Sequence, residues 1–196
     1  MGGLASPKPH TAPSVSGLSH SQRVEQLLAR AEITDVLYRY CRGIDRRDFD
    51  LVRSCYHPEA AEEHGDYVGG VDGFLERAAK NLARCERTMH FLGNVVIEVA
   101  GLVARSESYA LAYHRLPALN ADGEPRDRVV GLRYLDVFTF RDERWRISSR
   151  RCVCDWTRTD PVLPGFDFPS GWLRGSADGS DPVCDESWRT NPPTHP

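Results

Sequence analysis

Lysine is almost missing from this 196-residue chain: Lys8 and Lys80 are the only two, against 23 arginines. A functional arginine surface would fit that bias, and a GC-rich coding sequence accounts for it more simply. Positive charge is not in excess, because 25 Lys and Arg face 28 Asp and Glu for a net charge of -3. The basic footprint that a phosphate backbone demands is therefore absent, and nucleic acid is not expected as a partner. No apolar run approaches the roughly 20 residues of a membrane span. The first residues, MGGLASPKPHTAPSVSG, lack the apolar core of a signal peptide, so the expectation is a soluble, cytoplasmic protein with no membrane partner. The six cysteines form no CxxC pair and mostly fall in apolar periodic segments, where a thiol packs as a small hydrophobe. Neither a GxGxxG nor a GxxxxGK[ST] loop occurs, which disfavours nucleotide cofactors.

What is present is an ordinary globular balance, 40% hydrophobic and 27% charged, in a length that suits one domain with tails. Residues 1–20, rich in Ser, Pro, Gly and His, read as a flexible arm. From Val24 the apolar positions Leu27, Leu28, Ala31, Ile33, Leu37, Tyr40, Cys41 and Ile44 recur at spacings of three and four, which predicts a long amphipathic helix with Gly43 as a stop. Asp48 is a candidate N-cap for a second, short helix ended by Pro58, and Val71 to Cys85 predicts a third. The period then changes from 3.6 to 2 over Phe91–Val99, Leu102–Leu116, Val129–Phe140 and Trp145–Trp156, four strands of an antiparallel meander. The reading is an α+β domain over residues 21–158, helices packed on one face of the sheet, followed by a Pro- and Gly-rich tail, 159–196.

Two groups could carry chemistry. Tyr40 and Asp45 lie in Tyr40-Cys-Arg-Gly-Ile-Asp45; a separation of five is about 140° around a helix, so the two share a cavity only if the helix ends near Gly43. The residues alone leave open that Asp45 caps a turn and Tyr40 is core. His90 opens the first long strand, and alternation places Asn94 on its face. His114 shares a face with Ser108, Ala110 and Ala112, a row of small residues with room for a ligand or for helix packing. His64, in Glu62-Glu63-His64-Gly65, precedes the third helix and could lie at the surface. Cys55, His57 and His64 fit no zinc spacing, so no metal is expected.

With Tyr40 and Asp45 on the first helix and His90 in a Met-His pair at a strand start, residues 24–157 resemble the SnoaL-like branch of the cone-shaped α+β barrel named after nuclear transport factor 2. The motif is similar to those of bile acid 7α-dehydratase, scytalone dehydratase and hexachlorocyclohexane dehydrochlorinase. The resemblance implies that Asp45 orients and charge-stabilises His90, that His90 removes a proton, and that Tyr40 assists an oxygen leaving group. It aligns Arg150 with a pocket arginine of the dehydrochlorinase, whereas the arginine of the bile acid dehydratase falls at Cys154. These residue types suit an elimination, because imidazole titrates near pH 6.5, a carboxylate on Nδ1 sets its tautomer, and a phenol stays protonated to about pH 10.

The expectation is thus a cofactor-independent lyase of dehydratase type acting on a hydrophobic ring-containing small molecule. Catalytic residues would be Tyr40, Asp45 and His90, with His64, Asn94, His114 and Arg150 binding substrate. The alternatives are a polyketide or steroid cyclase or isomerase on the same fold, and a non-catalytic ligand-binding or assembly subunit. A homo-oligomer is expected, a trimer by resemblance or else a dimer, since four long strands are apolar on both faces and the helices cover only one. The tail aromatics Phe166, Phe168, Trp172 and Trp188 should dock, as a lid over the pocket mouth or a strap between subunits.

Overall fold

The computed structural model describes residues 17–118, 123–163, 165 and 169–187. Helix α1 (His20–Arg46) begins at Ser19, whose side chain accepts from the Gln22 amide while the Gln22 side chain caps Ser19 in return. It does not stop at Gly43. That glycine marks a close approach instead: a Cβ there would lie 2.7 Å from Val52 and 3.0 Å from the Asp48 carbonyl. The helix ends four residues on, at Arg47, whose left-handed backbone closes its last turn. Asp48 caps α2 (Phe49–Ser54) as expected, its carboxylate accepting from the Leu51 amide at 3.0 Å.

The chain then departs from the sequence reading. Residues Tyr56–His64 form strand β1 and Tyr67–Gly70 strand β2, joined at Gly65 with φ +66°. Pro58 does not end a helix; it sits where the pairing of β1 with its neighbour shifts between Tyr56 and Ala61, so its missing N–H is not needed there. Helix α3 (Val71–Leu82) follows, and then strands β3 (Arg87–Ala100), β4 (Val103–Leu116), β5 (Arg126–Arg141) and β6 (Arg144–Pro161). The last four form the expected antiparallel meander. The two additional strands extend it to six, in the order β2-β1-β6-β5-β4-β3, with β1 parallel to β6.

Helix α1 packs against β3 and β6, and α3 against β1 and β2. The core lies between them: Ile33, Val36, Leu37 and Ile44 of α1 meet Ala104, Ala110, Leu132, Phe138 and Ile147 of the sheet. All six cysteines are free thiols. Phe166, Phe168 and Trp188 lie outside the described residues, and Trp172 is 59% exposed. Among the described residues of the tail, 177–179 and 183–184 flank the last turn of α1.

Candidate active site

Asp45, on the last turn of α1, and His90, near the start of β3, meet although 45 residues separate them. Asp45 Oδ1 lies 2.7 Å from His90 Nδ1, and its Oδ2 accepts the His90 backbone N–H at 2.8 Å. Both side chains are nearly buried, 13% and 9% exposed. Burial raises the Asp45 pKa, but the hydrogen bonds and charge of His90 outweigh it, and the carboxyl is held below its ordinary value. An ionised carboxylate on Nδ1 puts the proton of the neutral ring there and leaves Nε2 as the basic nitrogen. The pair borders a groove of about 490 Å³ lined also by Tyr38, Cys41, Arg42, Arg46, Phe91 and Leu92.

His114 of β4 stands beside His90, ring centroids 5.6 Å apart and edge to face. Burial, and then the neighbouring charge of His90, lower its pKa to about 4, so it is neutral at physiological pH. Among the described residues its Nδ1 is buried without a hydrogen-bond partner, as are Ser106 Oγ, Ser108 Oγ and Arg150 Nη1. Ser108, Ala110, Ala112 and His114 alternate along the inward side of β4, as the period-2 pattern picked out, and Ser106 continues the row.

Tyr40 has a different environment from Asp45. Because α1 is continuous through Gly43, the condition for the two to face one cavity is not met along the helix, and no hydrogen bond joins Tyr40 to Asp45 or His90 among the described residues. Its ring instead lies 4.0 Å from the Arg150 guanidinium carbon and edge-on to Tyr134 and Tyr56. Arg150 is enclosed: Asp136 takes its Nε and Nη2 at 2.7 and 2.8 Å, Tyr134 stacks at 4.1 Å, and neither charged side chain has any exposed surface. Burial raises the Tyr40 pKa well beyond the effect of the Arg150 charge, so the phenol stays protonated.

Two expectations need correction. Asn94 does not share the face of His90: a bulge between Leu92 and Val95 reverses the alternation, so Asn94 is exposed while Val95 and Ile97 turn inward. The stretch around His64 is not a surface approach to a helix but strand β1, with Glu62 buried at 1% exposure. His64 Nδ1 lies 3.1 Å from Glu62 Oε1, and Glu62 Oε2 accepts the Tyr56 hydroxyl at 3.0 Å. Burial lowers the His64 pKa, but hydrogen bonds to Cys152 and Glu62 prevail and raise it to about 9. Cys55, His57 and His64 turn to separate partners: the Val36 and Leu51 carbonyls, the Thr139 carbonyl and Glu62. The residues missed from sequence, Asp136, Glu62 and Tyr134, are alternate inward positions of β5 and β1, and charges at such positions were the available signal.

A long helix laid across a curved, mostly antiparallel sheet, with a carboxylate–imidazole pair where the two meet, defines an α+β barrel class with its site between helix and sheet. The chain belongs to the SnoaL-like domain family, whose model matches residues 25–151. It is 29% identical over 133 residues, 65% of this chain and 86% of the relative, to the uncharacterized protein Rv2910c of Mycobacterium tuberculosis. Its fold is similar to that of a scytalone dehydratase-like protein from Novosphingobium aromaticivorans, with TM-score 0.62 and 17% identity over 78% of this chain and 99% of the other. It is equally similar to a hexachlorocyclohexane dehydrochlorinase, LinA type 2, with TM-score 0.62 and 20% identity over 76% of this chain and 99% of the other.

Proposed function

We propose that this protein is a cofactor-independent lyase that eliminates water, or a comparable leaving group, from a hydrophobic ring-containing small molecule, with His90 as the base. The observation that carries the reading is the double hold of Asp45 on His90, side chain and backbone together. His90 Nε2 takes a proton from a carbon next to an electron-withdrawing group, and the C–H electrons become the new double bond as the leaving group departs from the neighbouring carbon. Asp45 stabilises the imidazolium formed. Buried polar atoms without a partner among the described residues, on Ser106, Ser108, His114 and Arg150, each cost about 1–3 kcal/mol while unsatisfied. An oxygen substituent on the substrate would satisfy the one beside His90, on His114, which supports a substrate-binding role for His114.

The test is incubation with a panel of cyclic β-hydroxy ketones and halogenated alicyclic compounds in D₂O, followed by mass spectrometry. A product lighter by water or hydrogen halide, absent with His90→Ala, is the expected result. Deuterium uptake without loss of mass would instead indicate the isomerase or cyclase reading. Binding with neither change would indicate a ligand-binding subunit.

A further inference from the structure

Asp181 lies 30 residues beyond the end of the matched domain, 151, yet it is 4% exposed. Its Oδ1 accepts the Val183 amide at 3.0 Å, and its Oδ2 accepts the Ser176 amide at 2.9 Å and faces Arg46 Nε at 3.1 Å. A carboxylate removed from water is stable only with such partners, so the tail segment 176–183 is folded around this one side chain. Arg46 directly follows Asp45 and lines the same groove as Asp45 and His90. The next residue, Arg47, donates from Nη2 to the Cys85 carbonyl at 2.7 Å, two residues before β3 begins. Three successive side chains at the end of α1 are thus committed to three different places: the imidazole, the tail and the approach to β3.

We propose that Asp181 is a positioning residue for the Asp45–His90 pair: it holds the Arg46 guanidinium off the Asp45 carboxylate and keeps that carboxylate committed to His90. The proposal rests on the reading that this pair is the reactive one. A guanidinium forms stronger, bidentate hydrogen bonds with a carboxylate than a neutral imidazole does. Asp45 is the carboxylate that lines the groove with Arg46, so an Arg46 released from Asp181 would turn to it. His90 would then lose its Nδ1 acceptor and gain a cation beside the imidazolium it must form, and both changes lower its basicity. The other groups around the ring are Asp45 and Arg42 of α1 and His114 of β4, with Arg128 of β5 paired in register to His114. Among the described residues, Arg46 is the member of this groove whose side chain pairs with Asp181, so Arg46 is the route by which the tail reaches the pair.

The experiment is a nitrogen-15 NMR titration of the histidines in the full chain, comparing the unmodified protein with Asp181→Asn, Arg46→Met and the double variant. In Asp181→Asn the His90 midpoint is expected to fall by about one pH unit, with loss of the downfield proton resonance of a carboxylate-bound Nδ1–H. Arg46→Met in the same background should restore both, because the released cation is gone. An unshifted His90 in Asp181→Asn overturns the proposal, and so does a defect that persists in the double variant, which would make the tail merely structural. If Asp181→Asn does not fold, the double variant decides: a normal His90 titration supports the proposal and a second failure to fold overturns it. No substrate enters this measurement, so its outcome is separate from that of the elimination screen.

Discussion

One carboxylate places both the ring and the backbone of His90: Asp45 Oδ1 faces Nδ1 at 2.7 Å while Oδ2 holds the residue's own N–H at 2.8 Å. The backbone bond anchors the carboxylate beside His90, so the ring meets an acceptor already fixed in place. Such fixing of a base by a third group is what general base catalysis needs.

His90→Ala and Asp45→Asn should each leave a folded protein and lower turnover by about 10²-fold or more. The double variant should lose little beyond the worse single change, because the pair acts as a unit. Steady-state kinetics with circular dichroism as the folding control checks this; additive losses, or unfolding of either single variant, would contradict it.

Asp136→Ala should be among the most destabilising changes in the chain. It leaves Arg150 charged, with 0% side-chain exposure and no bidentate partner, a loss on the order of 3–5 kcal/mol. Arg151→Ala, one residue away, removes an exposed pair with Glu63 and should cost at most about 1 kcal/mol. Urea denaturation of the two variants side by side tests the contrast.

Thermal stability should peak near the ordinary histidine pKa of 6.5. The His64 pKa is raised to about 9, so its contribution is complete below pH 6.5 and is lost as pH rises toward 9. The His114 pKa is lowered to about 4, so its neutral form favours folding above pH 6.5, and that contribution is lost as pH falls toward 4. Melting curves between pH 4 and 9 should show both limbs. His64→Gln should flatten the alkaline one and His114→Gln the acid one.

Self-association should run through the outer face of the sheet. Phe91, Leu111 and Trp156 are 63%, 43% and 49% exposed and lie in one row across β3, β4 and β6, with Gly131 of β5 leaving room for the Trp156 indole. Covering such a face is worth about 25 cal/mol per Å² of apolar area. Light scattering at micromolar concentration should give a trimer or a dimer, and Leu111→Glu should dissociate it. A monomeric unmodified protein would refute this.

The period-3.6 run of α1 and the period-2 runs of β3 to β6 were legible because alternation records which side of an element meets the core, and each residue's neighbours within a few positions report it. The same local record failed at Asn94, where a bulge inserts a residue and reverses every face beyond it, and at Pro58, where a local helix stop proved to be an irregular point in a strand. Asp45 and His90 stood out in the sequence as types and as a family motif. Their bond was implied by the resemblance alone, since locally nothing records that the end of α1 arrives beside the start of β3.

By itself the sequence determined the long first helix, the third helix, the four strands of the meander with their apolar faces up to the bulge after Leu92, and the SnoaL-like resemblance, all of which follow from short-range spacing. Only the tertiary structure decided which charges meet: Arg150 with Asp136 across the β5–β6 pairing, Glu62 with His64 on a strand that reads locally as a helix end, and Asp181 with Arg46. Ion pairs leave no periodic trace, because a carboxylate and a guanidinium need only be close in space. Their partners are chosen by register and by the path of the tail, and those are set by the summed burial of the whole core.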